Sequence, residues 1–92
     1  MEDMKELVKR ELSKVLREKR GEKGWNQGKA AEKCGRSKRN YEKLENCENM
    51  PLLDTFINIV LMYDIDVEKF FKDLVAAGYS VDDRSCAPDK EK

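Results

Sequence analysis

The chain has 92 residues, with 19 Lys+Arg against 19 Asp+Glu, no histidine and 41 % charged residues. That length makes one small domain, and the lack of histidine removes the commonest zinc-ligand patterns. The neutral total hides a polarity: residues 1–51 hold 14 basic and 10 acidic groups, residues 52–92 hold 5 and 9, a field that orients a molecule on a charged partner without making it adhesive everywhere.

The first element is a helix from about Asp3 to Arg20. Leu7/Val8, Leu12, Val15/Leu16 and the stem of Lys19 recur at helical spacing, and Gly21 to Gly24 closes it. A second helix starts after Asn26, a good N-cap, and ends at Cys34 with Gly35 in the C′ position. A third starts after Ser37, another N-cap, and ends near Asn46. Pro51 opens a fourth, Leu52 to Tyr63, with Leu53, Phe56, Ile57, Val60 and Tyr63 assigned to its buried face. Asp64-Ile65-Asp66 interrupts it, and a fifth helix follows from Val67 to Ala77, carrying Phe70, Phe71, Leu74 and Val75. Residues 79–92 have little to bury and read as a flexible tail. The expected core holds Trp25, Ala31, Cys34, Tyr41, Leu44, Phe56, Val60 and Tyr63.

The cysteines, Cys34, Cys47 and Cys86, are odd in number and unpatterned, which fits a reducing compartment better than a disulfide framework. The start "MEDMKELVKR" lacks the apolar run of a signal peptide, and "FINIVLMY" is too short to span a bilayer. A soluble, cytoplasmic protein is expected, without membrane association, metal, cofactor or small-molecule ligand. Enzyme chemistry has no footing either. There is no Gly-rich phosphate loop, no carboxylate cluster at a plausible active site and no histidine to activate a cysteine.

The second and third helices are short enough to be marginal alone. Joined by a tight Gly-containing connection, they carry the signature of a helix-turn-helix. Lys38, Arg39 and Asn40 open the third helix, with Lys43 about a turn later, while Tyr41 and Leu44 sit three apart on the other side. Arg and Lys suit guanine edges and Asn suits adenine.

Arg20, Trp25, Asn26-Gln27, Ala31, Gly35-Arg36-Ser37, Tyr41, Leu44-Glu45 and Pro51, followed by Phe56, Ile59, Val60, Tyr63 and Ile65, resemble the phage-repressor/Cro type of helix-turn-helix domain, the XRE family. The resemblance covers about Leu12 to Phe71. It implies an all-α, five-helix bundle of the lambda-repressor-like kind, with a DNA-binding domain over residues 1–78 and an extended first helix. By the same resemblance Asn26, Gln27, Arg36, Lys38, Arg39, Asn40 and Lys43 form the DNA-binding set. Gln27 meets a phosphate or braces Lys38, projecting from the surface. Arg20 and Glu45 form a structural ion pair tying the first helix to the third.

Departures from the family pattern carry expectations too. Ala30 stands where Leu is usual, and Trp25 with Ala30 occupies the two ends of a hydrophobic staple. Cys47 stands where the family has a left-handed Gly; either it keeps that geometry at a cost of about 1–2 kcal/mol, or Asn46 takes the left-handed role one residue earlier. Glu48 and Asn49 replace basic residues that grip phosphates. The function implied is a sequence-specific regulator of transcription, a small repressor on double-stranded DNA. The alternative is a protein-interaction module on the same fold. Apolar residues at both ends of the chain (Met4, Leu7 and Val8; Phe70, Phe71, Leu74 and Val75) lead to the expectation of a homodimer with one or both segments at its interface.

Overall fold

A computed structural model describes residues 3–81. Five helices follow one another: α1 (Met4–Lys23), α2 (Gln27–Cys34), α3 (Lys38–Glu45), α4 (Leu53–Tyr63) and α5 (Val67–Ala76). No strand occurs among the described residues. None of their helices is long and apolar enough to cross a membrane.

Cap chemistry sets most boundaries. Asp3, Asn26, Ser37 and Asp66 each place a side-chain oxygen on a free N–H of the helix they open. α1 runs three residues past the expected Arg20. Gly21 stays helical, and the turn is made by Gly24, whose φ of +70° lets the Trp25 N–H close onto the Arg20 carbonyl at 3.2 Å. Gly35, at φ +77°, ends α2 in the same way. At the end of α3 the left-handed residue is Cys47 itself, at φ +63°, while Asn46 has φ −94°. The Glu48 N–H then reaches the Lys43 carbonyl at 2.9 Å. Asp64, at φ +54°, does the same for α4.

α3 lies against both α1 and α2, while α4 packs on α2 and α5 on α1. The shared core contains Leu12, Leu16, Ala31, Cys34, Tyr41, Leu44, Ile59 and Tyr63, all buried. Trp25, Phe56 and Val60 are only half-buried against it. Ala30 is fully buried. Trp25 lies on Tyr63, ring centroids 5.7 Å apart, with the Lys23 and Lys33 ammoniums 5.8 and 6.0 Å from its own ring.

The face of α4 differs from the expectation. Its buried stripe is Thr55, Ile59 and Tyr63; Leu53 and Ile57 face solvent. Of the apolar residues expected at a dimer interface, Leu7, Phe70 and Leu74 turn into the chain's own core, and Phe71 and Val75 remain outside. Tyr79, expected in the tail, packs against the core, and its N–H donates to the Leu74 carbonyl at 2.9 Å. The rest of that segment, residues 82–92 with Cys86, lies outside the described residues.

Candidate functional site

α3 has two unlike sides. Tyr41, Leu44 and Glu45 are buried, whereas Lys38, Arg39 and Asn40 are exposed in its first turn and Lys43 is half-buried a turn later. Ser37 fixes where that turn begins: its Oγ accepts from the Asn40 N–H at 3.1 Å. The Lys38 ammonium lies 3.8 Å from the Glu42 carboxylate, a solvated pair one turn apart. Among the described residues, Arg39 and Lys43 form no ion pair.

The orientation of this helix is held from behind by one residue. Glu45 is 1 % exposed, and its carboxylate accepts from Arg20 Nε at 2.7 Å, from a second Arg20 nitrogen at 3.0 Å and from Gln27 Nε2 at 3.0 Å. Its backbone carbonyl accepts from Ser13 Oγ and from Arg17, at 2.8 Å for the shorter of two guanidinium bonds. α1, α2 and α3 therefore meet at one side chain. Burial alone pushes the Glu45 carboxyl up, but hydrogen bonds from Arg20, Tyr41 and Gln27 outweigh it and hold the group below the usual carboxylate range. The same bond raises Arg20. Deeper in, the Tyr41 and Tyr63 hydroxyls pair at 2.7 Å, and burial raises both phenols.

A polar cleft opens where α2 begins, lined by Arg20, Asn26, Gln27, Gly28 and Lys38. The Asn26 side chain caps the Lys29 N–H at 2.8 Å. The first N–H groups of a helix have no intrahelical acceptor, and those of Gln27 and Gly28 open at this cleft. Lys38 crosses it: a Cβ on Gly28 would stand 4.0 Å from Lys38 Cδ. Gln27 is half-buried and bonded to Glu45, so it does not project freely as the sequence led us to expect. One amide N–H and its carbonyl oxygen are left for the cleft.

Arg36 points elsewhere. Its Nε donates to Thr55 Oγ1 at 2.7 Å and a terminal nitrogen reaches Asp54 at 3.3 Å. This explains why a threonine is buried on α4, and it fixes that helix relative to the α2–α3 connection. Asn58 adds a bond to the Cys34 carbonyl at 3.3 Å. The expected set is thereby divided. Lys38, Arg39, Asn40 and Lys43 share the outer side of α3; Asn26 and Gln27 border the cleft beside it; Arg36 is engaged by α4.

Sequence reasoning missed Ser13, Arg17, Thr55 and Gly28. Ser13 and Arg17 are four residues apart on α1, one turn, and that spacing on the face next to Leu16 was the available signal. Gly28, placed just behind an N-cap, was the signal for close passage of another chain segment.

Among the described residues no group of three or more His, Cys, Asp or Glu is arranged to hold a metal. No protein-family model, no curated protein and no solved structure matches this chain.

Proposed function

We propose that this chain is a sequence-specific double-stranded-DNA-binding regulator of transcription, a small repressor, in which α2 and α3 form a helix-turn-helix and α3 enters the major groove. The observation that carries the reading is the division of α3. Its inner side is fastened through Tyr41, Leu44 and Glu45, while its first turn offers Lys38, Arg39 and Asn40 outward. In this motif the N-terminal residues of the second helix meet base edges. Arg39 carries the planar fork that takes two guanine acceptors at once. The cleft at the start of α2 suits a phosphate, which helix N–H groups, Gln27 and Lys38 would position without reading sequence. Two copies would set two such helices about 34 Å apart, one turn of duplex. By occupying an operator the protein would exclude polymerase.

A second reading, a protein-interaction module on the same frame, is favoured by one observation. Beyond α3 the chain offers Glu48, Asn49 and the exposed apolar Met50 and Leu52 where phosphate-gripping residues would be useful.

The test is selection from a random duplex pool, followed by binding of the parent and of Arg39→Ala to the selected site and its single-base mutants. Arg39→Ala loses about 1–3 kcal/mol on the preferred site and relaxes preference at one base pair. Affinity falls steeply as salt rises, because condensed counterions are released. An Arg39→Ala protein that binds every duplex as the parent does removes Arg39 from the reading surface. A parent that binds no duplex in low salt at micromolar concentration leaves the protein-interaction reading standing.

A further inference from the structure

One end of the molecule carries an apolar groove of about 560 Å³. α1 supplies Val8 and Leu12, α4 supplies Leu53 and Phe56, and α5 with the segment after it supplies the rest. The floor belongs to the chain's own core, since Leu12, Phe70 and Leu74 are buried there. The walls do not: Leu53 is 74 % exposed, Phe71 52 %, Val75 64 % and Val81 67 %. Contiguous apolar surface of this kind, bordered by charges, marks an interaction site rather than ordinary surface.

The chemistry of the border selects the occupant. Phe71 and Val75 share a recess with Glu68 and Lys72, which pair within α5 at 3.3 Å. A rim bearing one acid and one base, a turn apart, does not discriminate for an acidic or a basic partner. It does match a twofold copy of itself, because rotation brings the Glu68 of one copy to the Lys72 of the other. The chain's own remaining segment is a poor filler: "DDRSCAPDKEK" contains no apolar residue larger than Cys, Pro or Ala. We propose that this groove and the outer side of α5 form the interface of a homodimer, with Phe71 and Val75 of each copy seated against the Leu53 and Val81 walls of the other. The proposal specifies the two-copy part of the functional reading and does not depend on contact with DNA.

The experiment is sedimentation of the full chain without DNA over a concentration series. The parent shows a concentration-dependent dimer. Phe71→Glu raises the dissociation constant by about 30-fold or more, as expected for an interface anchor, with an unchanged helical signal and melting of the monomer, because Phe70 and Leu74 still hold α5. Glu68→Lys alone, or Lys72→Glu alone, makes each rim carry one sign and weakens self-association. An equimolar mixture of the two restores a dimer of one copy of each. A parent that stays monomeric at millimolar concentration overturns the proposal, including when it takes up a hydrophobic dye, which would give the groove to a small apolar ligand. A folded Phe71→Glu chain that dimerises as the parent does, or a mixture no more associated than its components, overturns it as well. Duplex binding by a chain that never dimerises would remove this interface and leave the DNA reading intact. A stable dimer that binds no duplex would do the reverse.

Discussion

The phenolic oxygens of Tyr41, in the middle of α3, and Tyr63, at the end of α4, stand 2.7 Å apart inside the core. Tyr41 also hydrogen-bonds the Glu45 carboxylate. A carboxylate only accepts, so the Tyr41 proton goes to Glu45 and its oxygen takes the proton of Tyr63. The two tyrosines are therefore unequal. Tyr63→Phe removes one donor and strands no proton, at a cost of about 1 kcal/mol. Tyr41→Phe takes a donor from Glu45 and leaves the Tyr63 hydroxyl buried without its acceptor, at a cost of about 2–3 kcal/mol. Urea unfolding at neutral pH orders the two variants, and equal losses would refute the direction assigned to the chain.

Glu45 makes stability depend on acidity. Its carboxyl is held below the ordinary value in the folded chain, so the stabilisation is complete above the unfolded value of about 4.3 and is lost as pH falls through the lower, folded one. Glu45→Gln strands Arg20 and costs about 3 kcal/mol at neutral pH. It also lacks the titration, so the gap between parent and variant narrows as pH drops from about 5 to about 3. Urea midpoints of both proteins across that interval check the sign; a gap that widens contradicts it.

Two backbone positions respond to glycine in opposite ways. Gly21 is helical and exposed, and a Cβ built on it meets nothing within 4 Å. Gly21→Ala stabilises by about 0.5–1 kcal/mol, because alanine loses less backbone freedom in a helix. Cys47 holds φ +63°, a conformation that disfavours a side chain. Cys47→Gly gains about 0.5–1 kcal/mol after glycine's own entropy cost, whereas Cys47→Ala keeps the strain and gains nothing. Melting temperatures of the three variants decide it.

Arg36 is a fastening in the free protein. Replacing it with Ala leaves the Thr55 hydroxyl buried without its partner and costs about 1–2 kcal/mol. Because Asp54 is largely exposed, its share is small. Arg36→Ala combined with Thr55→Val costs less than the sum of the two single changes, which a double-mutant cycle reads directly. Additive losses would mean the two side chains do not cooperate.

What the sequence could disclose divides by range. Asn26, Ser37 and Gly35 act within four residues of themselves, and the helix ends they specify lie where local chemistry puts them. Gly21 misled for a related reason: a glycine three residues before a better one does not stop a helix. The face of α4 was unreadable because "LDTFINIVLMY" is apolar nearly all round, so its period carries no phase. The buried side was set by Arg36, 19 residues earlier, bonding Thr55. The pairing of Arg20 with Glu45 came with the resemblance; the convergence of Gln27, Ser13 and Arg17 on the same residue depends on α1, α2 and α3 meeting, which no local pattern encodes.

Trp25 is the chain's only tryptophan, and its position against Tyr63 gives the molecule a built-in optical gauge. Light absorbed by that phenol passes to the indole while the two rings stay 5.7 Å apart, and the neighbouring lysine ammoniums tune the emission colour. The gauge is local. It watches the corner where the first two helices turn and the fourth one ends, and it is blind to the far end of the molecule around Phe71. Circular dichroism sums all five helices. When emission and ellipticity follow one curve on heating, the whole molecule melts as a unit; when the ellipticity leads, the last helix has peeled away while the corner that positions Arg39 is still intact.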